Sequence, residues 1–210
     1  MFEHHYGTNV MYIPRHFEQN DEATLFDFID AHAFGTLITT PGGKPFASHV
    51  PFLLDRKARK LHCHLARPNP QWQHLADAPE VLAVFAGPHA YVSPTWYVAP
   101  GVPTWNYAVV HVHGTARCVD DAAFTRAHVE TLAAKFERGS AAPWVPDYDV
   151  RRLEGIVGIE IGIASCEGKF KLSQNRSAVD RAQVIARLTE SGRDEDAALA
   201  RLMAAAAPRA

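Results

Sequence analysis

The sequence predicts a mainly β protein with flanking helices, an α+β fold centred on an antiparallel barrel. Apolar and polar residues alternate along several segments, most regularly over residues 156–163, which is the period of a half-buried strand. Strong turn signals, such as residues 41–44, separate neighbouring segments. The helical segments do not alternate strictly with the strands, as they would around a parallel sheet. A barrel with attached helices accounts for all three observations.

The first half of the chain opens with a helix and continues as short strands. Asn20 and Asp21 can cap a helix that runs to His32, and Gly35 lies just beyond its end. Two hairpins in a row then predict an antiparallel meander. Its strands cover residues 35–40, 45–54 and 61–66, followed by a short helix over 70–78 and a strand over 81–86 that ends at Gly87-Pro88.

The second half contains the longest predicted strand, residues 105–118. Asp120-Asp121 then opens an amphipathic helix that reaches Phe136. A strand over 156–163 turns at Glu167-Gly168 and returns over 169–172, and helices begin at Ser177 and Arg193. Since no internal repeat or composition break appears, we expect residues 1–210 to form a single domain.

Composition excludes several classes of protein. The 210 residues are 47% hydrophobic and 21% charged, as in ordinary globular proteins, and the net charge of -2 gives no general attraction to nucleic acid. The three cysteines are widely spaced, which favours reduced thiols. Residues 1–16 lack the apolar segment of a signal peptide, and no apolar run approaches the roughly 20 residues of a membrane helix. We therefore expect a cytoplasmic protein without a membrane partner.

Two segments have the composition of a phosphate site. Arg67 stands between a strand and a short helix, where unpaired backbone N–H groups and a guanidinium can hold an anion. The segment 169–176 places Lys169 and Lys171 on one strand face and ends in Ser173, Gln174, Asn175 and Arg176. Each pattern is also typical of a surface arginine, a solvated strand end or a capped turn.

Aromatic and histidine residues suggest two further sites. Flat rings with polar edges fit a planar heteroaromatic cofactor, although they also fit a core or an interface. These rings are Tyr91, Trp96, Tyr97, Trp105 and Tyr107. The histidine pairs 62/64 and 111/113 each share a strand face, but no carboxylate or cysteine partner is fixed by spacing, so we predict no metal site.

A series of short motifs covers nearly the whole chain in an order that is typical of one known family. The motifs of the first half are Met11-Tyr12-Ile13-Pro14-x-His16-Phe17, Ala31-His32-x-Phe34-Gly35-x-Leu37-Ile38-Thr39, Pro51-Phe52-Leu53-Leu54-Asp55 and His64-Leu65-Ala66-Arg67-x-Asn69-Pro70-Gln71-Trp72. Those of the second half are Phe85-x-Gly87-Pro88-x-Ala90-Tyr91-Val92-Ser93-Pro94-x-Trp96-Tyr97, Val102-Pro103-Thr104-Trp105-Asn106-Tyr107, Ile156-Val157-Gly158-Ile159-Glu160-Ile161 and Gly168-Lys169-Phe170-Lys171-Leu172-Ser173-Gln174-Asn175-Arg176. Together they resemble the PaiB-type family of FMN-binding negative transcriptional regulators.

The resemblance implies an FMN-binding split β-barrel, similar to pyridoxamine-phosphate oxidases, that forms a homodimer with FMN in clefts between subunits. It implies that Thr36, Leu37, Ile38 and Thr39 run along the flavin ring and that Arg67 and Asn69 meet the phosphate. The resemblance also implies that the pocket is completed, from the same or the partner subunit, by Lys171, Ser173, Gln174, Asn175 and Arg176. The remaining candidate cofactor-binding residues are Trp72, Trp96 and Trp105.

Three functions follow from this resemblance. The first is an FMN-binding regulator, for which DNA is a weakly supported partner because the terminal helices mix arginines with acidic residues. The second is a flavin-dependent oxidoreductase acting on a small molecule; its acid–base candidates are His49, His64 and His111, and no catalytic residue is assigned. The third is a haem-binding relative. Whether the protein is an enzyme stays open.

Overall fold

The computed structural model describes residues 11–206. Within them lie eight strands and five α-helices, so the expectation of a mainly β chain with flanking helices is confirmed. The strands are β1 Glu18–Gln19, β2 Phe34–Thr39, β3 Phe46–Pro51, β4 Leu53–Asp55, β5 Lys60–Ala66, β6 Glu80–Val92, β7 Thr104–Val119 and β8 Ile156–Lys171. The helices are α1 Glu22–Ala31, α2 Gln71–His74, α3 Ala122–Phe136, α4 Ala178–Glu190 and α5 Asp194–Ala205.

The strands form one sheet in the order β3-β2-β6-β7-β8-β5-β4, and β1 also pairs with β8. β2 and β3 form one antiparallel hairpin, and β4 and β5 form another. The predicted meander is confirmed, because residues 45–54 pair with β2 through β3 and with β5 through β4. Phe52 separates β3 from β4, and its ring is buried against Phe85 at a centroid distance of 5.1 Å.

Two strands continue through residues that the sequence predicts to be turns. β6 extends past Gly87-Pro88 to Val92, and β8 extends past Glu167-Gly168 to Lys171. Gly168 serves a close approach rather than a turn, since a Cβ atom there would lie 2.4 Å from Cδ2 of Leu25 and 3.1 Å from the carbonyl oxygen of Gln19. A glycine in a strand pattern can thus mark crowding by a neighbouring backbone.

The helix starts agree with the predicted caps. The carboxylate of Asp121 accepts a hydrogen bond from the backbone N–H of Phe124 at 2.6 Å, and the hydroxyl of Ser177 accepts one from Asp180 at 3.1 Å. Both side chains satisfy donors that the first helical turn leaves unpaired. Within residues 11–206, no helix is long and apolar enough to cross a membrane.

The chain divides into two compact units, each made of several segments. Among the described residues, the first contains residues 11–25, 86–110 and 167–206, and the second contains residues 26–85 and 111–166. Leu188, Leu199 and Met203 of the first unit are fully buried, as are Leu37, Phe85 and Ile159 of the second. Each unit therefore has an apolar core of its own. A single domain over residues 1–210 stays a prediction.

Candidate functional site

Strand β2 presents only half of its predicted ring-binding residues to the outside. Leu37 and Thr39 are fully buried, whereas Thr36 and Ile38 are half-buried. This alternation follows from the period of a strand, which sends successive side chains to opposite faces. Leu37 and Thr39 can therefore reach a ligand only through their backbone groups, while Thr36 and Ile38 can offer side chains.

The face shared by Thr36 and Ile38 is continued by the neighbouring strands. In β3, Thr36 lies opposite His49 and Ile38 lies opposite Ala47; in β6, the opposite residues are Val84 and Leu82. We call these six residues the β2 face. It is apolar except at one end, where Thr36 Oγ1 and His49 Nδ1 form a hydrogen bond of 2.9 Å. Such a surface matches a planar ring with one polar edge.

The turn after β5 is bonded directly to β2 and β3. Asn69 donates from Nδ2 to Oγ of Ser48 at 2.9 Å and accepts at Oδ1 from the backbone N–H of Gln71 at 3.0 Å. Gln71 is fully buried, and its Nε2 donates to the carbonyl oxygen of Leu37 at 2.9 Å. Both groups of the Asn69 amide are thus engaged within the fold.

Arg67 begins the same turn, but its guanidinium is bonded to the segment 154–156. Its Nε donates to the carbonyl oxygen of Glu154 at 2.7 Å, and Nη2 donates to that of Ile156 at 3.2 Å. The side chain is 46% exposed and lines a cavity of about 770 Å³ that also includes the first residues of α3. Trp72 supports the turn by donating from Nε1 to the carbonyl oxygen of Arg67 at 3.0 Å.

Lys171 lies in the first unit and is held by the start of β7. Its Nζ donates to Oγ1 of Thr104 and to the carbonyl oxygen of Trp105, both at 2.5 Å. Burial lowers the pKa of Lys171, and the positive charges of Lys169 and Arg176 lower it further. Lys171 is therefore repelled by both neighbouring cations, and a bound anion would stabilise its charged form.

Two polar side chains of the turn after Lys171 are buried and hydrogen-bonded within the protein. Ser173 has φ 62 and is buried, and its Oγ accepts a hydrogen bond from Asn106 Nδ2 at 2.8 Å. Gln174 is buried too: its Oε1 accepts from the backbone N–H of Leu172 at 2.7 Å, and its Nε2 donates to the carbonyl oxygen of Phe170 at 2.6 Å. Their hydrogen-bonding groups hold the turn in shape.

The other two residues of this turn face outward to different degrees. Asn175 is exposed. The guanidinium carbon of Arg176 lies 4.3 Å from the centroid of the Tyr97 ring, a cation–π contact. Arg176 is therefore a cation fixed on an aromatic surface, whereas nothing in the described contacts holds Asn175.

The predicted aromatic set is only partly assembled. Trp105 is 53% exposed and lies edge-on to Tyr91, with ring centroids 6.1 Å apart. Together with His89 and Tyr107, Trp105 lines an apolar cavity of about 320 Å³. Trp96 is half-buried in a 3-10 turn, Pro94–Trp96.

The histidines of β5 belong to a cluster that the sequence does not reveal. Nδ1 of His64 lies 3.1 Å from Nε2 of His128, which is buried on α3. Burial, assisted by His64 and His62, lowers the pKa of His128 to about 4. On sequence, His128 is one of several residues on the inner face of an amphipathic helix, with no sign of a histidine partner. Across residues 11–206, no group of three or more His, Cys, Asp or Glu side chains is arranged to hold a metal ion.

The predicted site residues thus fall into two sets. Thr36–Thr39, Arg67, Asn69 and Trp72 all lie in the second unit. The first unit holds the other set, which is Trp96, Trp105, Lys171, Ser173, Gln174, Asn175 and Arg176. In the second unit, Asn69 and Gln71 bond the turn to β3 and β2, and in the first unit Lys171 bonds to the carbonyl oxygen of Trp105.

Comparison with known proteins identifies a family. The family described as "Putative FMN-binding domain" matches residues 11–165. "Protease synthase and sporulation protein PAI 2" of Bacillus subtilis is 34% identical over 200 residues, which are 92% of this chain and 96% of that protein.

Two solved structures have a similar fold. The flavocytochrome Anf3 of Azotobacter vinelandii aligns with a TM-score of 0.61 at 15% identity, over 76% of this chain and 72% of that chain. The FAD and heme binding protein of Mycobacterium smegmatis also has a TM-score of 0.61, at 17% identity, over 79% of this chain and 78% of that one. The predicted fold class, an α+β split β-barrel, is confirmed.

Proposed function

We propose that this chain, which belongs to the PaiB-type family of FMN-binding domains, binds the flavin ring on its β2 face. The prediction that FMN is the cofactor is confirmed at the level of the family. The observation that carries the proposal is that hydrogen bonds of Asn69 and Gln71 tie the Arg67–Trp72 turn to Ser48 of β3 and Leu37 of β2, which alternate with residues of the β2 face. The strands that carry a surface suited to a ring thus also hold a turn suited to a phosphate, within one unit.

The residues of the β2 face fit the flavin ring. Ile38, Leu82 and Val84 offer apolar contact, and the Thr36–His49 pair offers hydrogen-bonding groups at one end. The buried residues Leu37 and Thr39 contribute through their backbone rather than their side chains. When bound, FMN would supply hydride or electron transfer, while the protein supplies binding, orientation and electrostatics.

Arg67 would hold the phosphate end. Its Nε and Nη2 are fixed by two backbone carbonyl oxygens, so the guanidinium is already ordered before a ligand arrives. An ordered cation loses little conformational entropy on binding an anion. Asn69 would act by holding the turn, since both groups of its amide are already engaged.

A second copy of the chain would complete the pocket with residues of its first unit. Lys169 and Arg176 both repel Lys171, and the FMN phosphate is an anion that would relieve this repulsion. The exposed ring of Trp105 would cover part of the isoalloxazine. The functional protein is then a homodimer with two equivalent flavin sites.

Mixing two variants tests this arrangement. In a heterodimer of Arg67→Ala and Lys171→Ala subunits, one site carries both substitutions and the other carries neither. We expect the mixture to regain tight FMN binding at about half of the sites present in the mixed dimers. If Lys171 acts in its own subunit, every site stays damaged and mixing recovers nothing.

The proposed role is regulation by bound flavin rather than direct reading of DNA. Arg181 of α4 is buried, and its guanidinium donates to the carbonyl oxygens of Met203 and Ala206, so it is engaged in joining α4 to α5. Arg187 lies 3.5 Å from Glu190. These helices thus offer few free cations for phosphates of DNA. A mobility shift of promoter DNA at low salt, by holo or apo protein, would contradict this view.

The absorbance spectrum of the purified protein and an FMN titration test the ligand. We expect a flavin spectrum, and quenching of FMN fluorescence on addition to the apoprotein. Ile38→Glu, which places a charge on the β2 face, should weaken FMN binding at least about tenfold. The matched control is Val179→Glu at an exposed position of α4. A Soret band would instead support haem, and bleaching of the flavin by NADH or NADPH would support an oxidoreductase.

A further inference from the structure

The structure distinguishes among the histidines that could serve a bound flavin. His64 is half-buried, and its Nδ1 is shared with His128. Burial also lowers the pKa of His64, so this imidazole tends to stay neutral and enclosed. His64 therefore belongs to the packing of α3 against β5 and is poorly placed to exchange protons with a ligand.

His49 has a different environment. It is exposed on the β2 face, directly opposite Thr36 in the hairpin register. Its Nδ1 is bonded to Thr36 Oγ1 at 2.9 Å, and among the contacts of the described residues Nε2 has no hydrogen-bond partner. The imidazole is thus anchored at one nitrogen and open at the other, beside the surface assigned to the ring.

We propose that His49 contacts the flavin ring through Nε2 and favours its reduced form, and that Thr36 is the residue that positions His49. This inference rests on the proposed function, since it requires FMN on the β2 face. It gives His49 a role beyond binding, which is to raise the reduction potential of the bound FMN.

We infer that the Thr36 hydroxyl is the donor in its hydrogen bond with Nδ1 of His49. When the hydroxyl donates to Nδ1, the neutral imidazole carries its proton on Nε2, which then becomes a donor toward the ligand. Two electrons from an added reductant place negative charge on the ring, and a nearby N–H donor stabilises that charge. A donor fixed before reduction needs no rearrangement when the charge appears, so His49 should bind the reduced ring more strongly than the oxidised ring.

Potentiometry of the FMN-loaded protein measures this preference without reference to any substrate. We expect His49→Phe to lose about tenfold of the preference for reduced over oxidised FMN, which lowers the two-electron midpoint potential by about 30 mV. The affinity for oxidised FMN should change by less than about threefold. His16→Phe makes the same replacement at an exposed position outside the β2 face and should leave the potential unchanged.

Variants at position 36 test the positioning role. Thr36→Val removes the hydroxyl and should lower the potential in the same direction, whereas Thr36→Ser keeps the hydroxyl and should restore it. If Thr36→Val and His49→Phe bind FMN normally at an unchanged potential, the inference is wrong and the proposed function stands. If the wild-type protein binds no FMN, the proposed function is wrong and the inference fails with it.

Discussion

The segments 67–72 and 169–176 both combine cationic and amide side chains but differ in how the fold uses their polar groups. In the first, Arg67 has an ordered guanidinium at the edge of a large cavity, and Asn69 ties the turn to β3. In the second, Ser173 and Gln174 are buried and bonded to their own turn and to Asn106. The cations of that segment and the exposed Asn175 remain for a ligand.

The difference shows that a polar residue in a motif can serve the fold, the ligand or both. Burial and hydrogen-bond partners separate these roles, because a buried polar group that loses its partner destabilises the protein, whereas an exposed one does not. The phosphate site is therefore smaller than the motifs suggest. The comparison predicts distinct outcomes for stability and for flavin affinity.

The largest stability effect is expected at Gln174. Replacement by leucine would remove both hydrogen bonds of the buried Gln174 amide, including the one that the backbone N–H of Leu172 donates, so the free energy of unfolding should fall by roughly 2–4 kcal/mol. Urea denaturation measures this loss. Asn175→Ala, one residue away and exposed, should cost less than about 0.5 kcal/mol. Equal losses of unfolding free energy in Gln174→Leu and Asn175→Ala would contradict the distinction between buried and exposed polar groups.

A pH dependence of similar size is expected from His128, a polar group that serves only the fold. Its pKa is about 4 in the folded protein and near 6.5 when unfolded, so the unfolded chain takes up the proton first as the pH falls. Stability should therefore decline between pH 6.5 and 4, by roughly 2–3 kcal/mol at the lower end. His128→Phe should flatten the decline in urea denaturation series, whereas His16→Phe should leave it intact. A wild-type stability that is flat across this range would contradict the assignment.

A smaller effect is expected at Asn69. Asn69→Ala removes the bonds to Ser48 and to the N–H of Gln71 at a half-buried site, so unfolding should become easier by about 1 kcal/mol. FMN affinity should fall only as far as the turn loosens, by about threefold or less. Ser48→Ala is the matched control because it removes the other partner of one bond. A large loss of FMN affinity without a loss of unfolding free energy would contradict this account and indicate that Asn69 binds the phosphate directly.

Local patterns in the sequence predict much of the fold. The strand period and the cap residues Asp121 and Ser177 locate most elements to within a few residues. The sequence does not show that β6 and β8 pass through Gly87-Pro88 and Glu167-Gly168, because a glycine for crowding and a glycine for turning look alike. The order of the strands in the sheet could not be predicted either, because pairing between distant strands leaves no pattern in the local sequence.

The site could be predicted as a list of residues but not as an arrangement. Alternation along β2 explains why Leu37 and Thr39 are buried while Thr36 and Ile38 are not, and this could have been anticipated from period alone. The engagement of Gln174 and the pairing of His64 with His128 could not, because both depend on side-chain directions in the folded chain.

The FMN affinity of Arg67→Ala, measured by fluorescence titration of the apoprotein, tests the central claim most directly. Arg152→Ala, which removes an exposed arginine elsewhere in the same unit, serves as the control. We predict that Arg67→Ala raises the dissociation constant about tenfold to a hundredfold while the urea midpoint stays close to that of the wild type. An Arg67→Ala protein that binds FMN as tightly as the wild type and the control would contradict the proposed phosphate site.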